Sequence, residues 1–171
     1  MELADAPRVQ RLFPHWEIVQ YLTSRVPWPY PPDGALTFIR DSILPRAASG
    51  DLWQWTLRPR DAPDLVIGSI CLLKGEENNR GFWLGKEWHG QGLMSEAVGP
   101  VTDYWFAGLG MPVLRIPKAV PNVASRRISE KQGMRVIAVE ERDYVGGRFA
   151  TEIWELTREE WARRRTVSSS K

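Results

Sequence analysis

His89-Gly90-Gln91-Gly92-Leu93-Met94-Ser95 decides how the chain is read. Before it stands an aromatic run, Gly81-Phe82-Trp83-Leu84-Gly85, whose composition is that of a strand. After it, Met94, Ala97, Val98, Val101, Tyr104 and Trp105 recur at helical spacing on one side, which predicts a helix ending near Gly108 or Gly110. A strand that turns through two glycines into a helix leaves the first N–H groups of that helix without partners, at the positive end of its dipole, and so makes a ready site for an anion. No Gly-Lys-Ser/Thr follows, so this is not a Walker A loop, and the glycine spacing is not that of a dinucleotide fingerprint. The residues alone leave two readings open, a phosphate cradle or a plain connector.

Working upstream, Leu65-Val-Ile-Gly-Ser-Ile-Cys-Leu-Leu73 and Leu52–Leu57 predict two further strands, so that three strands in series form a meander. Val9, Leu12, Phe13, Trp16, Val19 and Leu22 keep a helical period broken at Pro14, which predicts one kinked helix or two short ones. Four prolines between Val26 and Gly34 stiffen a loop, and Asp33 is placed to cap a helix from Ala35 to about Leu44, ended by Pro45. Downstream, Val113–Val120 predicts a strand in which Pro117 marks a bulge or a splay. Asn122 and Gly133 bracket a short helix as N-cap and C-cap glycine. Two strands then meet at Gly146-Gly147 as a hairpin, followed by a short helix to about Arg164 and a frayed tail over 165–171. The order predicts an α/β fold of the mixed α+β kind, with helices on both faces of the sheet.

Composition narrows the class. The chain has 171 residues, 43% hydrophobic and 26% charged, which fits a single domain over 1–171. Its apolar runs fall far short of the roughly 20 residues that cross a bilayer, so no membrane association is expected. The N-terminus lacks the basic-then-apolar order of a secretory signal, and a cytoplasmic location is the expectation. One cysteine, Cys71, and two histidines are too few for a structural zinc, so no metal is expected. A formal charge of +2 offers little to a nucleic acid.

The second informative stretch is Asn122-Val-Ala-Ser125-Arg-Arg-Ile-Ser129-Glu-Lys-Gln-Gly133-Met134. By itself it is a capped helix, with Arg126 and Arg127 either solvated or, beside an anion site, facing phosphates. Taken with the glycine turn, with DAPRVQRLF, IVQYL and PWPYPPDGALTFI upstream, and with ERDYVGGRF and LTREEW downstream, it resembles the GNAT superfamily of acetyl-CoA-dependent N-acetyltransferases, and within it the RimJ/RimL-like branch.

That resemblance implies a twisted, mainly antiparallel sheet splayed open after Gly81–Gly85, with acetyl-CoA in the gap. The pyrophosphate would lie on the backbone of His89, Gly90, Gln91, Gly92, Leu93, Met94 and Ser95, and pantetheine along Leu84, Gly85 and Lys86. Asn122 would meet the pantetheine arm, Ser125 the sulfur and Arg127 the nucleotide phosphate. A backbone N–H near Leu84–Lys86 would hold the oxyanion of the tetrahedral intermediate, and Ser125 would protonate the leaving thiolate.

The chain departs from the family pattern in four places. Met94 stands where a smaller residue is usual and would crowd the helix start; Ser129 stands where many relatives carry a tyrosine acid. Asn79 and Arg80 stand near the usual place of a glutamate base, leaving Glu77, Glu87 and Glu141 as bases, Glu141 first, in competition with a water chain. The usual first strand before the Ala6 helix is either absent or lies upstream of Met1. Trp28 and Tyr30 would wall the acceptor, an amine on a small molecule or a protein N-terminus; a homodimer would cover any apolar edge left by the missing strand. The alternative function is a coenzyme A binding domain without turnover.

Overall fold

The computed structural model describes residues 1–75 and 77–168. Its strands are β1 (Leu52–Leu57), β2 (Gly68–Leu73), β3 (Arg80–Leu84), β4 (Val113–Ala119), β5 (Arg135–Tyr144) and β6 (Gly147–Thr157). They form two antiparallel three-stranded sheets, β1-β2-β3 and β4-β6-β5. The meander is confirmed, with Ile70 opposite Phe82 and Leu72 opposite Arg80. On one face of β4 and β6, Leu114, Ile116, Trp154 and Leu156 join Leu72, Trp105, Phe106 and Met134 in a buried core. Ile67, Ile70, Leu84, Met94 and Val98 continue it under β3.

The backbones of the two sheets join at Asn79. Asn79, 3% exposed, donates its backbone N–H to Arg115 O at 2.8 Å, while its side-chain oxygen accepts from Arg115 N at 2.7 Å. Its amide nitrogen donates to Gly75 O at 2.6 Å, closing the β2–β3 turn. Beyond this clasp β3 and β4 diverge, and Pro117 explains why. Val120 N donates to Ala150 O, and antiparallel pairing alternates, so Lys118 and Ile116 turn their N–H groups to β6 while Arg115 and Pro117 face β3. Pro117 therefore leaves the β4–β6 ladder unbroken and in register from Val113 to Ala119. The missing donor faces β3, where it denies further pairing. The expectation of a splay holds at this residue; the bulge does not, and lies instead between Val136 and Ala138 in β5.

The N-terminal segment forms α1 (Ala6–Leu12) and α2 (Trp16–Val19), two short helices separated at Pro14. No strand precedes α1 in the described residues, and Met1 lies against β1 with its amino group donating to Gln54 O. The following helix runs further than expected, as α3 (Gly34–Phe38), a π turn (Ile39–Ile43) and α4 (Leu44–Ala48). Leu44 N–H reaches back to Ile39 O, one residue farther than in an α turn. This widened turn lets the helix pass Pro45, which has no N–H to give. Asp33 makes no side-chain cap bond here; Gln10 of α1 caps the helix instead, accepting from Ala35 N at 2.9 Å.

Two longer helices follow the diverging strands: α5 (Leu93–Asp103) after β3, extended by a π turn to Gly108, and α6 (Val123–Lys131) after β4. The last helix, α7 (Arg158–Ser168), continues past Arg164, so the tail is helical as far as it is described. Thr157 and Glu160 cap its start reciprocally, Thr157 N donating to Glu160 Oε2 and Glu160 N to Thr157 Oγ1. Arg165 holds its last turn to Asp103 and stacks on Trp161. Residues 169–171, where the rest of the tail falls, lie outside the described residues.

Candidate active site in the gap between the two sheets

Both helix N-termini open beside the gap, because each is the next α-helix after a diverging strand, α5 following β3 through a 3-10 turn at Lys86–Trp88 and the glycine turn. At the start of α5, Gly90 and Gly92 adopt φ of +75° and +80°, a region that an L side chain enters only at a cost. A Cβ built on either glycine meets nothing within 4 Å. No side chain caps the helix, and the first turn bond inside it is Glu96 N to Gly92 O. The amides of Leu93, Met94 and Ser95 are thereby left for an anion. The Met94 side chain does not crowd them: it packs inward on Ile70, Leu84 and Val98. The expected obstruction is corrected, because position two of this helix faces the core.

Along β3 the backbone separates the three residues expected to face pantetheine. Gly85 N donates to Ile67 O and Gly85 O accepts from Trp88 N, so Gly85 is engaged within the protein. By the same alternation, Phe82 and Leu84 turn their backbone toward the gap. His89 donates from Nε2 to Leu84 O at 2.8 Å, fixing the glycine turn to the strand. Leu84 N–H is the gap-facing donor of the three. Lys86 makes an exposed ion pair with Glu17 of α2.

At the start of α6, the Asn122 side chain accepts from Ser125 N at 3.2 Å, as an N-cap should. Ser125 is half-buried, and its oxygen accepts a 2.5 Å bond from Lys118 Nζ. Lys118 is 4% exposed and lies 4.9 Å from the Phe82 ring centre. Burial, aided by the nearby Arg80 charge, holds its ammonium well below 10.5. Arg80 is 2% exposed and donates from one terminal nitrogen to Thr102 Oγ1, and burial pushes its guanidinium down to about 9. Ser129 is fully buried behind Ser125. Arg126 does not reach toward phosphates: it forks onto Glu152 at 2.7 and 2.8 Å. Arg127 is exposed on the same helix.

On the other side of β3, the aromatic residues gather. Phe13 packs edge-on against both Tyr30 and Trp83, at 5.1 and 5.4 Å, and Trp28 lies against Trp16. Burial raises the Tyr30 hydroxyl to about 12. The tip of the β5–β6 hairpin closes against α2: Gly146 N donates to Gln20 O, and a Cβ there would stand 2.8 Å from that oxygen. The structure does not gather the expected carboxylates. Glu141 is exposed on β5 with Arg148 at 3.9 Å, Glu77 pairs with Arg142, and Glu87 with Arg8.

Comparison with known proteins bears on this geometry. The family model described as an acetyltransferase (GNAT) domain matches residues 1–135. The chain belongs to the GNAT acetyltransferase family. Among solved structures it is similar in fold to the ribosomal-protein-S5-alanine acetyltransferase of Vibrio fischeri, with a TM-score of 0.78 and 14% identity over 94% of this chain and 92% of that one. It is also similar to the spermidine N-acetyltransferase of Vibrio cholerae in complex with CoA and spermine, at 0.77 and 16% over 95% of each. RimL, an alpha-N-protein acetyltransferase solved with coenzyme A, matches at 0.77 and 15% over 92% and 90%.

As a GNAT member the protein is an acetyl-CoA-dependent acetyltransferase. The observed site suits that donor: uncapped amides with open space over two glycines, and a strand edge that Pro117 prevents from closing. Sequence reasoning placed Asn79 and Arg80 only as departures from the family pattern, and missed Lys118. Lys118 carried a usable signal, since it continues the inward phase of Leu114 and Ile116.

Proposed function

We propose that the protein transfers the acetyl group of acetyl-CoA to a primary amine, on a small molecule or a protein N-terminus. The observation that carries this reading is the gap itself, with two helix N-termini beside it and Ser125 in the first turn of one. When bound, acetyl-CoA supplies the activated acetyl group; the protein supplies placement and charge. The amides of Leu93, Met94 and Ser95 would hold its phosphates. Leu84 N–H would bind the carbonyl oxygen as negative charge develops there, and Ser125 would give its hydroxyl proton to the leaving sulfur. Asn122 orders this turn through Ser125 N.

The acceptor would enter over Phe13, Trp28, Tyr30 and Trp83, whose rings favour a cationic amine before it loses its proton. The fold shared with a ribosomal-protein-S5-alanine acetyltransferase and a spermidine N-acetyltransferase supports an amine acceptor of either size. With Glu77, Glu87 and Glu141 paired at the surface, water carries the amine proton away.

The test is turnover of acetyl-CoA with a panel of polyamines, aminoglycosides and peptides bearing free N-termini, followed by thiol release. Turnover of at least one amine that is abolished by Ser125→Ala supports the reading. Binding of acetyl-CoA with no amine accepted replaces it by the binding domain without turnover.

A further inference from the structure

Of the buried ionisable groups that the mechanism leaves without a task, Lys118 is bonded to Ser125. We propose that Lys118 is the positioning residue behind Ser125, a proton source that returns to the serine the proton it gives to the leaving sulfur. This rests on the acetyl-transfer reading and deepens it.

The geometry is specific. Lys118 Nζ donates to Ser125 Oγ at 2.5 Å, so the serine's own proton points away from the lysine. Ser125 is half-buried where Lys118 is 4% exposed, so Nζ reaches the gap through the serine oxygen. Ser125 also occupies the first turn of the nine-residue α6, whose dipole favours negative charge there.

The groups facing Lys118 explain why it would release a proton. From β3 come the Phe82 ring and the Arg80 charge, whose Nε and second terminal nitrogen have no hydrogen-bond partner among the described residues. From β6, Glu152 stands opposite Lys118 in register, but Arg126 of α6 occupies both its oxygens. From α6 itself comes Ser125. A buried ammonium beside a second cation, with the carboxylate opposite it engaged elsewhere, is held well below its usual value and parts readily with a proton. The balance is complete. Ser125 passes its hydroxyl proton to the sulfur that takes the electron pair of the breaking C–S bond, and Lys118 replaces that proton from Nζ. Coenzyme A leaves as the thiol. Lys118 is left neutral and regains a proton from water, which has received one from the acetylated nitrogen.

The test reads the thiol of bound coenzyme A directly, by its thiolate ultraviolet absorbance against pH, in the wild type, Lys118→Met and Ser125→Ala. The thiolate is expected to appear about one pH unit or more lower in the wild type than in either variant. With an accepted amine, Lys118→Met should lower kcat, leave the KM for acetyl-CoA within about twofold, and add nothing to the loss in Ser125→Ala. The same thiol titration in all three proteins overturns the proposal, as does a K118M defect confined to KM. Ser125→Ala changes a half-buried surface turn, so it keeps the test open if K118M does not fold. Failure of the wild type to bind coenzyme A is a different result, and overturns the acetyl-transfer reading itself.

Discussion

Ser125 and Gly92 concentrate two different demands, chemistry and backbone shape. Ser125→Ala removes the proposed donor to sulfur but keeps the Asn122 cap, whose bond runs to the backbone N of that residue. It is expected to lower kcat by about 100-fold and leave the acetyl-CoA Kd within about twofold, measured by steady-state kinetics and calorimetry. Gly92→Ala has room for its Cβ but must hold φ at +80°. It should cost about 1 kcal/mol of stability and weaken acetyl-CoA by about tenfold, as the first amides of α5 turn away. Gly99, inside the same helix and also with open space around its Cβ, gives the opposite expectation. Gly99→Ala should stabilise by about 0.5 kcal/mol in urea denaturation. At this scale the sequence was legible where a residue shapes or caps the backbone, as Gly90, Gly92 and Gly133 do by their positive φ and Asn122 by its N-cap. It was less legible where a side chain's direction matters, because motif spacing does not say that Met94 points into the core or that Arg126 is taken by Glu152.

Among the elements, β3 and β4 set the site by failing to pair. Asn79 closes them at one end and Pro117 keeps them apart toward the other. Asn79→Leu would strip the partners from the half-buried Arg115 N and the exposed Gly75 O, at an expected loss of about 1 to 2 kcal/mol in urea denaturation. The meander, the capped α6 and the closing hairpin could be read from period, caps and glycines. The π turn at Ile39–Ile43 could not, since a proline normally ends a helix and only the widened turn ahead of it lets this one continue. Nor could the clasp, because the two sheets meet through an asparagine side chain rather than through any period in the sequence.

For the whole molecule, the cost of two buried cations shapes how stability depends on pH. Lys118 has a folded value well below 10.5, the value it regains on unfolding. Between these two values the unfolded chain holds the proton and the folded one does not, so the stability that Lys118 contributes rises with pH across that window and is flat below it. Measured against Lys118→Met, the wild type should therefore gain stability as pH climbs toward 10.5. A difference that is constant with pH would show that Lys118 titrates normally. The GNAT assignment was legible at this scale because it rests on the order of many modest motifs. The acceptor was not, since a fold does not name its substrate and the aromatics proposed to wall it carry no motif.

Everything proposed above requires that the gap between β3 and β4 hold acetyl-CoA. Thermal unfolding with and without acetyl-CoA tests it most directly, since a ligand at about 100 times its Kd adds roughly 2.7 kcal/mol to the folded state. For a domain of this size the account predicts a rise in Tm of about 5 to 10 °C, given by acetyl-CoA and reduced in Gly92→Ala. An unchanged Tm at saturating acetyl-CoA, or a rise that ATP reproduces in full, would contradict it.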